Sequence, residues 1–389
     1  MPASRARLGV IFLTVFIDLA GFGLILPVLP YYAERFGATG FGYGALIGVF
    51  SLMQFVATVV LGGLSDRVGR RPVLLASIVV AAIGYTIFGA AASYAWLFFA
   101  RAISGFAGGN ISVAQAYIAD VTSPAERSRG MGLIGAAFGL GFMVGPGLGA
   151  AAAHFGGLSA VGFVAAGLCL VNLVSAHFVL HESLRHEHRA TRPLVDTTHL
   201  VRGLSQPRFR PAFLVFGLIP FAFSGYIVAL PLFMGQSFGW GSGQLGVFFT
   251  VIGVIAASVQ GYLFGKIQRY AKDRLLISLG VAGMAIGIMA IPLVHQALAI
   301  YPWVVILGFG NSVSAPALTG LISQLAGPGE QGAMMGAAQS LTAIGRFSGP
   351  LLFGQLYDVA GPTPTFVLAG SVMVIAWLVT LRIQDPGIP

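Results

Sequence analysis

Residues 132–146 read GLIGAAFGLGFMVGP and residues 336–350 read GAAQSLTAIGRFSGP. Gly132, Gly141, Gly145 and Pro146 of the first stretch recur as Gly336, Gly345, Gly349 and Pro350 of the second, all displaced by 204. Gly109 and Asn110 recur as Gly310 and Asn311, displaced by 201. Such coincidences of offset are hard to get by chance even with 55 glycines, and they mark two repeats in parallel orientation. The chain around them is 57% hydrophobic and 8% charged, with a mean hydropathy of +0.88. A soluble domain carries about 25% charged residues, so this chain has too few to solvate a surface. A disulfide scaffold is excluded because Cys169 is the single cysteine, and a disordered chain because aromatics reach 12%.

A membrane-crossing helix needs about 20 mostly apolar residues. Runs of that kind between turn signals give twelve spans: 8–31, 42–64, 73–92, 95–120, 129–152, 157–180, 209–234, 243–264, 274–294, 297–325, 332–355 and 362–384. Barrel strands would alternate apolar and polar positions, and these runs are apolar all round. Arg5 and Arg7 precede the first run as in a signal peptide, but the run exceeds an h-region of about 7–15 residues and no small-residue cleavage site follows. It is therefore read as the first span. Of the 21 Lys and Arg, all but Arg35, Arg101 and Arg346 then fall on the side of the N-terminus, which places both termini in the cytoplasm. The net charge of +9 is thus spread over every inner loop, and nucleic-acid binding is not expected. The long loop 181–208 divides the chain into bundles 1–180 and 209–389, joined by a cytoplasmic linker. Its His181, Glu182, Arg185, His186, Glu187, His188 and Arg189 read as a solvated loop, with no metal site expected. The expected fold is an all-α polytopic membrane protein of twelve transmembrane helices in two parallel-related six-helix bundles, with a site at their interface near the midplane.

An ionisable residue inside a span costs at least ~2.5–3.5 kcal/mol and marks function by default. Asp18, Arg101 and Arg346 qualify. Asp18 lies roughly 15 Å from the cytoplasmic end of its span and Arg101 roughly 9 Å from the opposite end of the fourth, about 6 Å apart in depth. They are expected to form a proton-sensitive pair, with a purely structural ion pair or a backbone-bonded Asp as the alternatives. Arg346 lies roughly 21 Å deep, where no carboxylate of the second half reaches. Its partners are left open between carbonyls, water, Asp18 and the substrate. With Asp18 ionised the three charges sum to a net positive interior, which disfavours monovalent cations as cargo. Asn110, Gln115, Asn311 and Gln339 are polar residues within spans, suited to a cavity or to hydrogen bonds between helices. Phe22, Phe223 and Tyr226 stand near polar neighbours on the first and seventh spans and are candidates to line a cavity. Gly141, Gly145 and Gly149, four apart, form one close-packing face, and Pro146 permits a kink.

The loop GGLSDRVGRRP at 62–72 combines Gly62, Gly63 and Gly69 with Asp66 and with Arg67, Arg70 and Arg71, which can pair with Asp120. Gly62 and Gly63 are expected to let helices approach, and Asp66 to meet a helix N-terminus. This loop resembles the signature between the second and third helices of the major facilitator superfamily. RAISGFAGGNISVAQAYIADVT at 101–122 resembles its fourth-helix motif, and GAAFGLGFMVGPGLG at 135–149 the fifth-helix motif of its antiporters. DLAGFGLILPVLPYY at 18–32 matches the first helix of its twelve-span drug/proton antiporters, with the bacterial tetracycline-type exporters most alike. That group carries an acidic residue in the third helix where Tyr85 stands here, an acidic residue in the ninth where 274–294 has none, and a His in the eighth that 243–264 lacks. The resemblance implies a proton-coupled secondary transporter that exports small amphipathic compounds by alternating access. It also implies a monomer in the bacterial inner membrane, driven by the proton gradient, with no cofactor and no enzymatic activity. In that reading Asp66 lies by the N-terminus of the eleventh helix, Arg70 bridges to Asp120 to lock an inner gate, the glycine face takes part in rocking, and Gln54 faces the drug. A lipid flippase on the same fold and a proton-coupled uptake symporter are the alternatives. GYLFGK at 261–266 lacks the spacing of a phosphate-binding loop, so ATP-driven transport is not expected.

Overall fold

Backbone polar groups in hydrocarbon are satisfied only within helices or closed barrels. The computed structural model, which describes residues 2–122, 124–183, 198–326 and 330–384, takes the first course, with no strand among the described residues. Arg185, His186, Glu187, His188 and Arg189 of the central loop lie outside them. The helices are α1 (Pro2–Ile25), α2 (Leu29–Arg35), α3 (Gly40–Val68), α4 (Arg70–Gly89), α5 (Tyr94–Ala107), α6 (Ile111–Val121) and α7 (Pro124–Val179). After the central loop follow α8 (Thr198–Ser205), α9 (Arg210–Phe238), α10 (Ser242–Ser258), α11 (Phe264–Ile267), α12 (Asp273–Ala290), α13 (Ile300–Leu325), α14 (Gln331–Ala360) and α15 (Pro362–Thr380).

Ten helical segments among the described residues are long and apolar enough to cross a membrane. One of them, Gly130–Val179, has 50 residues and serves for the fifth and sixth spans together. The sequence placed a short loop between those spans. In the structure a single residue makes the break, Gly157, at φ 75° and ψ 179°, a conformation open only to glycine. The eleventh span, α14, is 30 residues long but too polar to stand among the ten, because it carries Gln331, Gln339, Arg346 and Gln355. The twelve-span reading fits this architecture, and the chain is an integral membrane protein.

The chain divides into two compact units, and the division largely follows the central loop. In the first, α1 packs on α7, and α4 packs on α5 and α7. In the second, α9 packs on α14, and α12 packs on α13 and α15. These are corresponding pairs of the two repeats. Two short stretches depart from the chain order: Thr39–Gly48 belongs to the second unit and Gly241–Val254 to the first. They too correspond, opening the second and eighth spans.

Helices in lipid associate through close backbone approach at small residues. Glycines of α7 and α14 do this work on α1 and α9. A Cβ on Gly145 would stand 2.6 Å from the Ala20 carbonyl oxygen and 3.0 Å from Gly23 Cα, and one on Gly149 would overlap the Leu24 carbonyl. In the second unit a Cβ on Gly345 would stand 2.8 Å from the Gly217 oxygen, and one on Gly349 2.7 Å from the Phe221 oxygen. The two transposed stretches are seated in the same manner. Gly246 leaves no room for a Cβ against Ala150 and Pro146, as Gly44 leaves none against the Pro350 carbonyl. In the second unit an acidic cap is added: Asp358 accepts the backbone N–H groups of Gly40 at 2.6 Å and Phe41 at 2.8 Å, two of the otherwise unpaired donors at the start of α3.

Asp358→Ala should therefore loosen the start of α3 by about 0.3–2 kcal/mol, the range for a charge at a helix N-terminus. Hydrogen exchange at Gly40 and Phe41 should rise by up to roughly thirtyfold while the α9–α14 seam keeps its protection. Unchanged exchange at these two amides would show that the carboxylate does not hold them.

Candidate functional site

In the first unit the 3₁₀ turn Gly108–Asn110 joins α5 to α6 within the fourth span. Gly109 packs so closely on Ala57 that a Cβ would stand 2.6 Å from the Ala57 carbonyl carbon. The turn carries Asn110, fully buried, to α1, where its Nδ2 donates to Asp18 Oδ2 at 2.6 Å. Asn110 Oδ1 has no hydrogen-bond partner among the described residues. Arg101, only 1% exposed, lies with its guanidinium carbon 4.2 Å from the ring centre of Phe50 and 5.5 Å from that of Phe22. Phe22 in turn contacts Phe50 and Phe142, with ring centres 4.9 and 5.8 Å apart. Gln54 Nε2 donates to the Gly108 carbonyl at 3.3 Å. The structure thus brings Asp18, Asn110, Arg101, Phe22 and Gln54 into one polar and aromatic cluster. The sequence paired Asp18 with Arg101. To those two residues the structure adds an amide donor on the carboxylate, from Asn110, and two rings beside the cation. One turn before Asp18, Thr14 Oγ1 donates to Asn172 Oδ1 at 3.1 Å. Gln115 is exposed and takes no part in the cluster.

The loop between α3 and α4 forms a second cluster. Arg70, 8% exposed, bonds Asp66 Oδ1 at 2.6 Å, Asp120 Oδ2 at 3.3 Å and Ser65 Oγ at 2.6 Å. One guanidinium therefore ties α3, α4 and α6 together, as the sequence expected for Arg70 and Asp120. Arg71 donates to the carbonyls of Leu180 at 2.8 Å and His177 at 2.9 Å, at the end of α7. Arg67 is exposed. The expectation for Gly62 is corrected: a Cβ there would meet Ser112 Oγ at 3.7 Å, an ordinary contact, so helix approach does not require glycine at that position. Gly69 is the glycine on which the loop depends. Its φ of 118° excludes a side chain, and a Cβ there would overlap the Glu182 carboxylate. Glu182 accepts the backbone N–H groups of Arg70 at 2.8 Å and Arg71 at 3.2 Å, capping α4 from the start of the central loop.

In the second unit the rings of Phe223 and Tyr226 touch at a tilt of 44°, with centres 5.3 Å apart. The Tyr226 hydroxyl is buried without a hydrogen-bond partner among the described residues. Asn311 is half-buried and Gln339 exposed. Gly145 and Gly149 abut Ala20, Gly23 and Leu24, while Gly345 and Gly349 abut Gly217, Phe221 and Ser224. In that register, displaced by 201, Ile219 stands where the first unit has Asp18, so Asn311 has no carboxylate to hold.

The Major Facilitator Superfamily model matches residues 11–350 and 267–388. The chain belongs to the Major Facilitator Superfamily. It is 32% identical to the class E tetracycline resistance protein of Escherichia coli, covering 96% of this chain and 94% of that one. It is 28% identical to multidrug resistance protein 2 of Bacillus subtilis, covering 94% and 92%. The solved structure of the human organic anion transporter MFSD10 (TETRAN) superposes with a TM-score of 0.74 at 28% identity, covering 98% of this chain and all of that one.

The fold and family are those of membrane transporters, and the superfamily's signature loop is braced by a residue from outside it, Glu182 at the start of the central loop. Glu182 was assigned to a solvated loop because its two partners lie more than 100 residues earlier. The available signal was its place directly after the sixth span, beside a loop rich in arginine. Glu182→Ala should destabilise the protein by about 0.3–2 kcal/mol. Gly69→Ala should cost more, about 1–3 kcal/mol from backbone strain alone. Thermal unfolding in detergent checks both, and a wild-type midpoint for Gly69→Ala would overturn the account of this turn.

Proposed function

We propose that this protein is a proton-coupled secondary transporter that exports small amphipathic organic compounds by alternating access, with Asp18 as the proton carrier. The observation that carries this reading is the Asp18–Asn110 pair at membrane depth. A carboxylate accepts from the amide nitrogen, whereas a carboxylic acid donates to an amide oxygen. Asn110 carries both groups, and its Oδ1 has no other partner among the described residues. A half-turn of the amide therefore serves either protonation state without moving a helix. Arg101, on α5 in the same cluster, lies over the rings of Phe50 and Phe22. Asp18 then returns to the charged form once the site meets the side of lower proton activity.

Substrate is expected against Phe22, Gln54, Phe223 and Tyr226. Asp66, Arg67, Gly69, Arg70, Arg71 and Asp120 serve the gate on the cytoplasmic side, where both termini lie. The names of the relatives support the cargo class: tetracycline and multidrug resistance proteins and an organic anion transporter are all similar to this chain over nearly its whole length. The protein works as a monomer in the inner membrane of a bacterium.

Asp18→Asn keeps the size of the side chain and removes its titration. In inverted vesicles under an imposed pH gradient, it should abolish uphill transport and leave substrate binding within about twofold. Full uphill transport by that variant would overturn the assignment.

A further inference from the structure

Arg346 stands near the middle of the 30-residue α14, roughly 21 Å from either end at 1.5 Å per residue. Its side chain reaches neither membrane surface from there. The direction in which it points follows from its neighbours on the helix, taken at about 100° per residue. Thr342, Gly345 and Gly349 face α9: Thr342 Oγ1 donates to the Phe216 carbonyl at 3.1 Å, and the two glycines abut Gly217, Phe221 and Ser224. Phe347, Pro350 and Gly354 face the first turns of α3, against Gly48, Gly44 and Gly40. Ile344, Leu352 and Val359 form the exposed stripe, at 54%, 46% and 76% exposure. Arg346 falls between the α9 face and the α3 face and nearly opposite the exposed stripe. It points inward, away from lipid.

It is also half-buried there. Among the described residues Arg346 makes no ion pair, hydrogen bond or ring contact. The described carboxylates of its own unit are all engaged elsewhere. Glu330 takes Arg202 at 2.7 Å, Asp273 accepts from Gln268 at 3.1 Å and Gln324 at 3.0 Å, and Asp358 caps α3. Asp18 is held by Asn110. A guanidinium at this depth is costly without a counter-charge, and a planar fork of N–H donors matches a carboxylate or sulfonate two bonds at a time.

We infer that Arg346 is the anion-binding residue of the transport site, and that the preferred cargo is an amphiphile bearing a carboxylate or sulfonate on an aromatic or aliphatic body. Phe221 of α9, half-buried with its backbone against the turn carrying Arg346 and its ring centre 5.3 Å from that of Phe353 on α14, supplies aromatic surface for the apolar body. The inference rests on the exporter reading for its cargo but not on proton coupling.

The test is equilibrium binding to the full-length protein in nanodiscs, with no gradient. Two fluorescent probes share one ring skeleton: 1-anilinonaphthalene-8-sulfonate is anionic, and N-phenyl-1-naphthylamine is its neutral counterpart. Empty nanodiscs give the background. Arg346→Gln should weaken the sulfonate at least about tenfold, as loss of a charged hydrogen-bond partner does, and leave the neutral probe within twofold. Arg346→Lys should recover part of the loss and shows that the position tolerates replacement. Ethidium should compete poorly with the sulfonate on wild type. Equal losses for both probes, no saturable sulfonate binding by wild type, or ethidium as the stronger competitor would each overturn the inference. Because no proton gradient is involved, a failed Asp18 test leaves this result standing, and the converse also holds.

Discussion

In lipid, an apolar side chain gains little by leaving one hydrocarbon surface for another, so helices are held together by how closely their backbones can approach. The rest of this molecule depends on that constraint. Gly145 and Gly149 set α7 against α1, Gly345 and Gly349 set α14 against α9, and Gly105 and Gly109 set the fourth span against α3. The polar chemistry follows from these seams. Asn110 reaches Asp18 only because Gly109 lets its turn sink onto Ala57. Arg101 reaches the ring of Phe50 because Gly105, one turn further along, lies against the Phe50 backbone. Replacing a glycine in such a seam moves the functional groups along with the helix.

The two repeats keep one scaffold and differ in chemistry. Asn110 and Asn311 occupy matching places in the sequence, yet the position of Asp18 in the first repeat is held by Ile219 in the second. Each unit retains one arginine at membrane depth, but Arg101 rides on the fourth span and Arg346 on the eleventh. Duplication thus supplied a symmetric frame, and substitution divided the labour: one unit has a titratable group, the other a permanent charge with no protein counter-charge among the described residues.

Features that depend on local pattern were legible before any coordinates. Span number and the repeat were written in runs of apolar residues and in the offsets of Gly and Pro, since a close helix contact leaves its mark at the contacting residue itself. The Arg70–Asp120 bridge, 50 residues long in sequence, was legible only through the resemblance of the 62–72 loop and the 101–122 motif to those of a known family. Other relations between distant residues were not. Charge and depth point to Asp18 and Arg101, and only the packing of Gly109 on Ala57 reveals that an amide also reaches the carboxylate. Glu182 looked like one more polar loop residue, and the Asp358 contact with Gly40 joins positions 318 apart. The direct join of the fifth and sixth spans at Gly157 turns on a single φ angle, which an apolar run does not announce.

The transposed stretches Thr39–Gly48 and Gly241–Val254 have a consequence for how the protein is made. At about 5–20 residues per second, the start of α3 waits roughly 15–60 s between its own synthesis and that of Asp358. The first unit likewise remains without Gly241–Val254 until translation is well into the second repeat. Neither half can mature on its own as it leaves the ribosome, so insertion machinery and proteases meet an incomplete first unit for most of the synthesis time. A ribosome that stalls in the central loop releases a chain whose first unit lacks one of its stretches and whose α3 begins with an uncapped, glycine-lined turn, the kind of lesion that membrane quality control can recognise.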